Sequence, residues 1–555
     1  MLSCPPSHKE NLYKPARSSN PCVSFPCSQR RLVIERNCVM VSMFGMLGSR
    51  LRAGWNNPIL RHNAVVLLGG KLLGLMIVVG LILWSLPAHA LAQASGVADA
   101  TSQINAINTV WVLVAAFLVF GMQVGFQMLE TGFARSRETV NILVEGIVDT
   151  CICGVLFWAF GFAFMFEPGT PLIGTTGFFL QGLSDTYGTT GVPLLAFWVF
   201  QFAFADTAST ITSGAMVGRC DFIGDILYSI VVTGFIYPII GHWVWGPDGW
   251  LAVMGFRDFA GSTVVHTIGG AVSLAGAIAL GPRLGRVFKR DGGGPWPAHD
   301  IIIGAIGGLL LWFGWYGFNP GSTLSALDVQ GIGRVSFNTT LAACSAGLTA
   351  LFYGYARIKK WDLGLTVNGF LGGLVAITAP CYWVEPVGAF FIGIGGALAV
   401  VWGLDLLEHW RIDDPIGAVP VHMLGGIWGT LSLGLFASGV YGLPTPNGTD
   451  TSTVITGLFY GGGLSQLTTQ FIGSLAVTAA TLAASFMLMY GLKAVGRLRV
   501  SKEGELEGLD IHEHGASAYP EYALSLNART GGATSATVPA PSFAPTAQRS
   551  QRNII

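Results

Sequence analysis

Two aspartate–histidine pairs hold the residues that could do chemistry in this chain. Asp258 opens an apolar stretch, His266 follows eight residues later, and Gly269-Gly270 come after the histidine. The arrangement returns at Asp414, His422 and Gly425-Gly426. A neutral imidazole offers one acceptor nitrogen and one donor, so two of them together can take up, hold and pass on a proton. Each stretch runs on into apolar sequence long enough to span a membrane. Eight residues of helix rise about 12 Å and half the hydrocarbon core is about 15 Å, so each histidine is expected near the bilayer middle. Ionisable side chains there are costly and face a cavity or another polar group. A single histidine would more often be a satisfied structural residue. Two placed alike in two halves of one chain point to a path through the membrane.

The elements that must position these residues are membrane helices. The chain has 555 residues, of which 51% are hydrophobic and 11% charged, and its mean hydropathy is +0.57. That excludes an ordinary soluble protein, and apolar runs of about 20 residues exclude a barrel of short alternating strands. A net charge of zero gives nucleic acid binding no support. The nine cysteines show no metal-ligand spacing. His512 and His514, alternating with Glu513, are only weak metal candidates. No cofactor is implied. We read an all-α polytopic membrane protein of about eleven helices, at 107–129, 139–165, 192–217, 222–245, 260–281, 300–320, 336–356, 364–381, 386–408, 416–437 and 464–490.

Residues 1–94 read as a patternless N-terminal stretch followed by a signal peptide: Arg50, Arg52 and Arg61 precede the apolar run 64–86, and Ala-x-Ala sites end it. An uncleaved anchor is the competing reading, because the apolar run is long and Lys71 interrupts it. Residues 95–500 form the transmembrane domain, and 501–555 a polar cytoplasmic tail. With the N-terminus outside, the alternate gaps and the start of the tail carry fifteen Lys and Arg, against Arg257 and Arg334 in the opposite gaps. Positive-inside bias then places the C-terminus in the cytoplasm of a protein of the cell inner (plasma) membrane. In this topology the fifth helix enters from outside at Asp258 and the tenth from inside at Asp414. Their histidines approach the midplane from opposite faces, as in an inverted repeat of five helices plus five, with one C-terminal helix outside it. The Gly-Gly pairs beside both histidines read as close helix contacts.

Several motifs together are specific. They are Met122-Gln-Val-Gly-Phe126 with Glu130, Phe200-Gln-Phe-Ala-Phe204, His242-Trp-Val-Trp245, Asp258 through His266, Trp315 through Ser322, Asp413-Asp414 with His422, and Gly508-Leu-Asp510 through Tyr519. On these the chain resembles the ammonium transporter/methylammonium permease/Rhesus (Amt/Mep/Rh) family, Amt branch, from about residue 103 to 519. The resemblance implies a transporter of ammonium or ammonia, not an enzyme, assembled as a homotrimer in membrane lipid with a narrow pore in each protomer. By motif position Phe204, Trp245 and Ser322 are the outer recruitment site, with Asp258 supporting it. Phe204 and Phe318 are the ring gate, His266 and His422 the pore histidines, and Trp315 lines the pore beside them. The tail is where a cytoplasmic PII-family signal protein would bind.

The physical chemistry of the substrate fits these assignments. Ammonium is a cation with four N–H donors, so an aromatic face and a hydroxyl acceptor suit it. Trp245 taken alone could equally belong to an interfacial aromatic belt. The chain also departs from the family pattern. Asp206 stands where a small neutral residue is usual, and Val217-Gly218-Arg219 replaces Ala-Glu-Arg, which leaves that loop without its acid. Arg135-Ser-Arg-Glu138 replaces Arg-Ala-Lys-Asn. Two other readings stay open: an ammonium sensor or transceptor with low flux, and an Rh-like channel for ammonia or another neutral gas.

Overall fold

In a computed structural model of the chain, residues 100–520 are described. The expected signal peptide and the last part of the tail lie outside them. The fold is all-α, with three two-stranded hairpins in the loops. Among the described residues ten helices are long and apolar enough to cross a membrane. They are α1 Thr101–Phe133, α2 Ser136–Phe166, α3 Leu194–Gly214, α4 Phe222–Met254, α5 Ser262–Leu280, α6 Ile301–Thr323, α7 Val329–Ile358, α9 Pro386–Trp410, α10 Val419–Phe436 and α11 Ser465–Ala494. The shorter α8, Leu363–Thr378, makes the eleventh. Two short tail helices follow, α12 Lys502–Glu507 and α13 Leu509–His514.

Expected and observed limits differ where local chemistry overrides hydropathy. The reading carried the eighth helix to 381, but Pro380 has no N–H for the helix ladder, and the chain turns there with Trp383 N–H donating to the Pro380 carbonyl. The seventh begins at Val329 rather than 336, because the Asp328 carboxylate accepts from Gly331 N–H at 2.8 Å and starts the helix early. Asp221, Asp300 and Asp362 cap α4, α6 and α8 in the same way. Large apolar side chains such as Phe117, Phe313 and Met487 are exposed on the outside of the bundle, where a membrane would cover them.

The geometry at α5 and α10 decides everything downstream. Asp413, just ahead of α10, takes hydrogen bonds from Arg283, which lies just beyond the far end of α5. Asp258 and Asp414 therefore sit at opposite ends of α5, and the two helices enter the core from opposite sides. They cross at glycine. A Cβ on Gly270 would lie 2.3 Å from the Met423 nitrogen of α10, and one on Gly426 would lie 2.3 Å from the Ser262 carbonyl oxygen of α5. Both obstacles are backbone and cannot yield. The Gly-Gly pairs thus make the close helix contact expected of them, and the contact is reciprocal between the two stretches. Replacing Gly426 by Val should shift backbone at the crossing and destabilise the protein by about 1–3 kcal/mol or more. A thermal unfolding midpoint in detergent equal to that of the original protein would contradict this account of the crossing.

Candidate functional site

Both histidine stretches begin with the same device. The Asp258 carboxylate accepts from the N–H groups of Gly261, Ser262, Thr263 and Val264 at 2.8–3.0 Å. Asp414 accepts from Gly417, Ala418 and Val419 at 2.8–3.1 Å. Each acid turns the chain into its helix through a left-handed glycine, Gly261 at φ +118° and Gly417 at φ +85°, a conformation that glycine adopts without penalty. The first turns that follow are π-helical, Ser262–Thr267 and Val419–Leu424, and each contains the histidine. Such wide turns are rare and cluster at functional positions. Burial pushes the carboxyls of Asp258 and Asp414 up to about 6, against the pull of the N–H groups that bond them.

This places the two imidazoles together. His266 Nδ1 and His422 Nδ1 are 3.2 Å apart, their rings are tilted by only 25°, and both side chains are buried. Two neutral rings joined in this way must share one Nδ1 proton. The ring that donates it has a bare Nε2, and the ring that accepts it carries its proton on Nε2. The pair therefore presents one acceptor and one donor to its surroundings. His266 Nε2 is buried and has no protein partner.

The predicted aromatic residues form one continuous run of ring contacts that ends on this pair. Trp245 and Phe204 are 6.2 Å apart between centroids, and Phe204 stacks on Phe318 at 4.1 Å. Phe318 lies 5.4 Å from His266, and Trp315 lies 5.1 Å from it on the same side of α6. Trp315 is fixed by its indole N–H, which donates to Thr378 Oγ1 at 2.9 Å. Asp258 joins through its backbone, since its carbonyl accepts the Trp245 indole N–H at 2.8 Å. Ser322 joins through the Phe318 carbonyl, to which its hydroxyl donates at 2.8 Å. Phe126 of α1, quoted in a motif but given no role by the sequence, faces His422 at 6.1 Å on the far side.

Beyond the histidines, toward Asp414, two spaces follow. The first is lined by Phe126, Glu130, Asn368 and His422, and offers about 10 Å³ to the centre of a water molecule. The second, of about 680 Å³, opens beside Asp414, Arg286 and Trp296. Its wall is ionic. Arg283 binds Asp413 through Nε and Nη2 at 2.7 and 2.9 Å, Arg286 adds a bond at 3.3 Å, and Arg219 donates to the Asp413 carbonyl at 2.6 Å. Arg135 and Arg283 both lie over the Trp296 ring, at 4.9 and 4.6 Å. Nothing in the sequence pattern paired these residues, because they come from four separate loops.

The loop lacks its usual acid at Gly218, and an acid from another segment lies beside it. Glu138, from the first turn of α2, is fully buried, pairs with Arg135, and lies where a side chain on Gly218 would have to go. A Cβ on Gly218 would meet Glu138 Oε1 at 2.8 Å. Asp206 is buried on α3 and accepts from Thr150 Oγ1 at 3.0 Å. His514 lies 3.0 Å from Asn141 Oδ1, and His512 pairs with Glu507.

Eleven apolar helices among the described residues, two of which bring a buried histidine pair to the end of an aromatic column, define an all-α polytopic membrane protein. The chain belongs to the Ammonium Transporter Family, whose model matches residues 110–519. It is 41% identical over 442 residues to ammonium transporter Amt2 of Archaeoglobus fulgidus, covering 77% of this chain and 92% of that one. It is 36% identical over 452 residues to ammonium transporter 1 member 3 of Solanum lycopersicum, with 78% and 97% covered. Among solved structures, a sensor Amt protein matches at 38% identity with a TM-score of 0.67, covering 74% of this chain and 99% of that one. Saccharomyces cerevisiae Mep2 matches at 27% identity, TM-score 0.67, with 73% and 90% covered. The family is one of transporters, not enzymes.

Asp413 gives a pH-dependent test. Burial alone would raise its carboxyl, but the hydrogen bond and charge of Arg283 and the charge of Arg219 outweigh it and hold the group well below the usual carboxylate range. A depressed group contributes stability that is fully present above its unfolded value, about 4, and is lost as pH falls toward its folded value. Asp413→Asn should lower stability by about 3–5 kcal/mol at pH 7, because it strands buried arginine charge. The gap from the original protein should hold down to about pH 5 and narrow below about pH 4. Unfolding midpoints measured across that range check this, and a gap independent of pH would contradict it.

Proposed function

We propose that this protein transports ammonium, recruiting the cation at Trp245, Phe204 and Ser322 and passing it through the Phe204–Phe318 gate to the histidine pair. The observation that carries the reading is the unbroken run of rings ending on two imidazoles 3.2 Å apart. An aromatic face attracts a small cation, and a serine hydroxyl accepts one of its N–H bonds. Potassium is also attracted by a ring but donates no hydrogen bond. Below the gate the walls are apolar, and a bare cation cannot replace its water there. The free imidazole nitrogen can take a proton from ammonium, leaving ammonia to continue past His422. The same charge bias that orients the helices puts the recruitment site outside and the Asp414 end in the cytoplasm. There α12 and α13 pack on the start of α2, with Asn141 N–H donating to Asp510 at 2.9 Å. That tail is the surface on which a PII-type protein would act in a homotrimer.

One observation favours the sensor reading as an alternative: a structural relative of 38% identity bears the name sensor Amt protein. A sensor would bind ammonium at the same outer site and carry little current.

The histidines decide between transport and structure. In proteoliposomes with measured protein content, His266→Ala and His422→Ala should each lower ammonium-specific flux per protomer by about a hundredfold. An acidic replacement, His422→Glu, should keep a current but admit potassium, because a fixed charge stabilises any small cation. If both alanine variants merely reduce yield while flux per protomer and ammonium/potassium selectivity stay unchanged, the histidines only hold α5 to α10 and the transport reading fails. Absence of current in the unmodified protein, with ammonium still bound, would support the sensor.

A further inference from the structure

The transport reading sends ammonia onward and leaves a proton at the histidine pair. Apart from Glu138, which pairs with Arg135, five carboxyls lie buried among α1 to α4, away from the aromatic column: Glu130, Glu145, Asp149, Asp206 and Asp225 are each at most 5% exposed. None of them forms an ion pair with a lysine, arginine or histidine among the described residues. An uncompensated carboxylate in such a place is expensive, and a group of five must hold protons or a cation. Oδ1 of Asp206 is buried with no hydrogen-bond partner, and the buried oxygens of Asp225 face only the Glu145 carboxyl and the Tyr228 hydroxyl. Those atoms can be satisfied by an added proton. A metal is a poor fit, since among the described residues no group of His, Cys, Asp or Glu is arranged to hold one.

The acids are connected rather than scattered. Glu130 shares with His422 the small space that admits about 10 Å³, enough for one water. Ser213 Oγ donates to Glu130 at 2.8 Å. One turn along α3, Ser209 and Thr210 donate to Asp149 at 2.8 and 3.4 Å. Asp225 of α4 faces Asp149 and Glu145 of α2. Glu145 accepts from Asn141 at 3.2 Å, and Asn141 meets the partly exposed His514 of the tail. Hydroxyls both donate and accept, so carboxyls spaced by them make a relay, and acid chains of this kind mark proton paths inside membranes.

We propose that Glu130, Asp149, Glu145 and Asp225 carry the proton taken from ammonium at the histidine pair to the Asp414 end of the molecule, by a route separate from that of ammonia. The proposal rests on the transport reading above. The N–H bond of ammonium breaks with its electron pair left on nitrogen. The proton passes from the imidazole pair through one water to a Glu130 oxygen, and the carboxyls downstream hand one proton on for each received. The last proton leaves to water beside His514. Charge and ammonia thus cross the same protomer on different sides of α3.

The test compares the full-length protein with Asp149→Asn and Asp225→Asn, which keep shape and hydrogen bonding but cannot relay protons, in proteoliposomes. Ammonium-evoked current and labelled methylammonium uptake are measured with and without a protonophore. The current should fall about tenfold or more in each variant. Uptake should fall as well, and the protonophore should restore it to near the unmodified level, because neutral amine still passes and the proton has another way across. Unchanged current in both variants overturns the proposal. So does lost uptake that the protonophore fails to restore, since that outcome marks the carboxyls as structural. If the unmodified protein carries no current, the transport reading itself fails. If it does and the variants match it, only the acid route fails.

Discussion

The hydrogen bond between His266 Nδ1 and His422 Nδ1, 3.2 Å long, is the contact on which the rest of the architecture depends. A bond between two imidazoles needs one proton and leaves the two outer nitrogens unlike, one donor and one acceptor. Unlike nitrogens are what a substrate with N–H donors can use. The bond forms only if two helices from opposite ends of the bundle bring their first turns to the same point. That requires backbone contact at Gly270 and Gly426, where no side chain fits. It also requires two wide first turns, each started by an aspartate that collects several N–H groups and each entered through a glycine with positive φ. Every part of this device occurs twice, which is the physical content of the repeat.

The aromatic column works on the other half of the problem. Rings from α3, α4 and α6 pack at 4.1–6.2 Å from Trp245 to Phe318, and each is tied by a polar bond at its edge or by its neighbours. A column of rings welcomes a cation at its mouth and offers it nothing deeper down. In the proposed transport mechanism, recruitment and exclusion come from one set of residues, and the imidazole pair resolves the conflict by accepting a proton.

Much of this was legible in the sequence because its signals are local. Hydropathy runs located all eleven helices, and the Asp-x7-His stretches identified the two histidines and their opposite directions of entry. The aromatic residues were placed by motif, and in the fold their rings are in contact. The rest depends on contacts between distant segments. The π-helical turns leave no trace in hydropathy, and Gly261 and Gly417 were not distinguished from the many other glycines. The ring of arginines around Asp413 and Trp296 comes from four loops. Reading the loop at Gly218 by itself missed the acid beside it, because Glu138 comes from the first turn of α2. Asp206 stood out as a solitary oddity, whereas the fold shows it to be one of five buried carboxyls among α1 to α4 that have no basic partner.

The most direct test of the account is the protonation of the histidine pair itself. Solid-state ¹⁵N NMR of histidine-labelled protein in bilayers, with signals assigned by difference against His422→Gln, reads each ring nitrogen. The account predicts one protonated and one bare Nδ1, linked through a single shared proton, at neutral pH and without substrate. Two rings with matching tautomers and no shared proton, or two fully protonated rings, would contradict it.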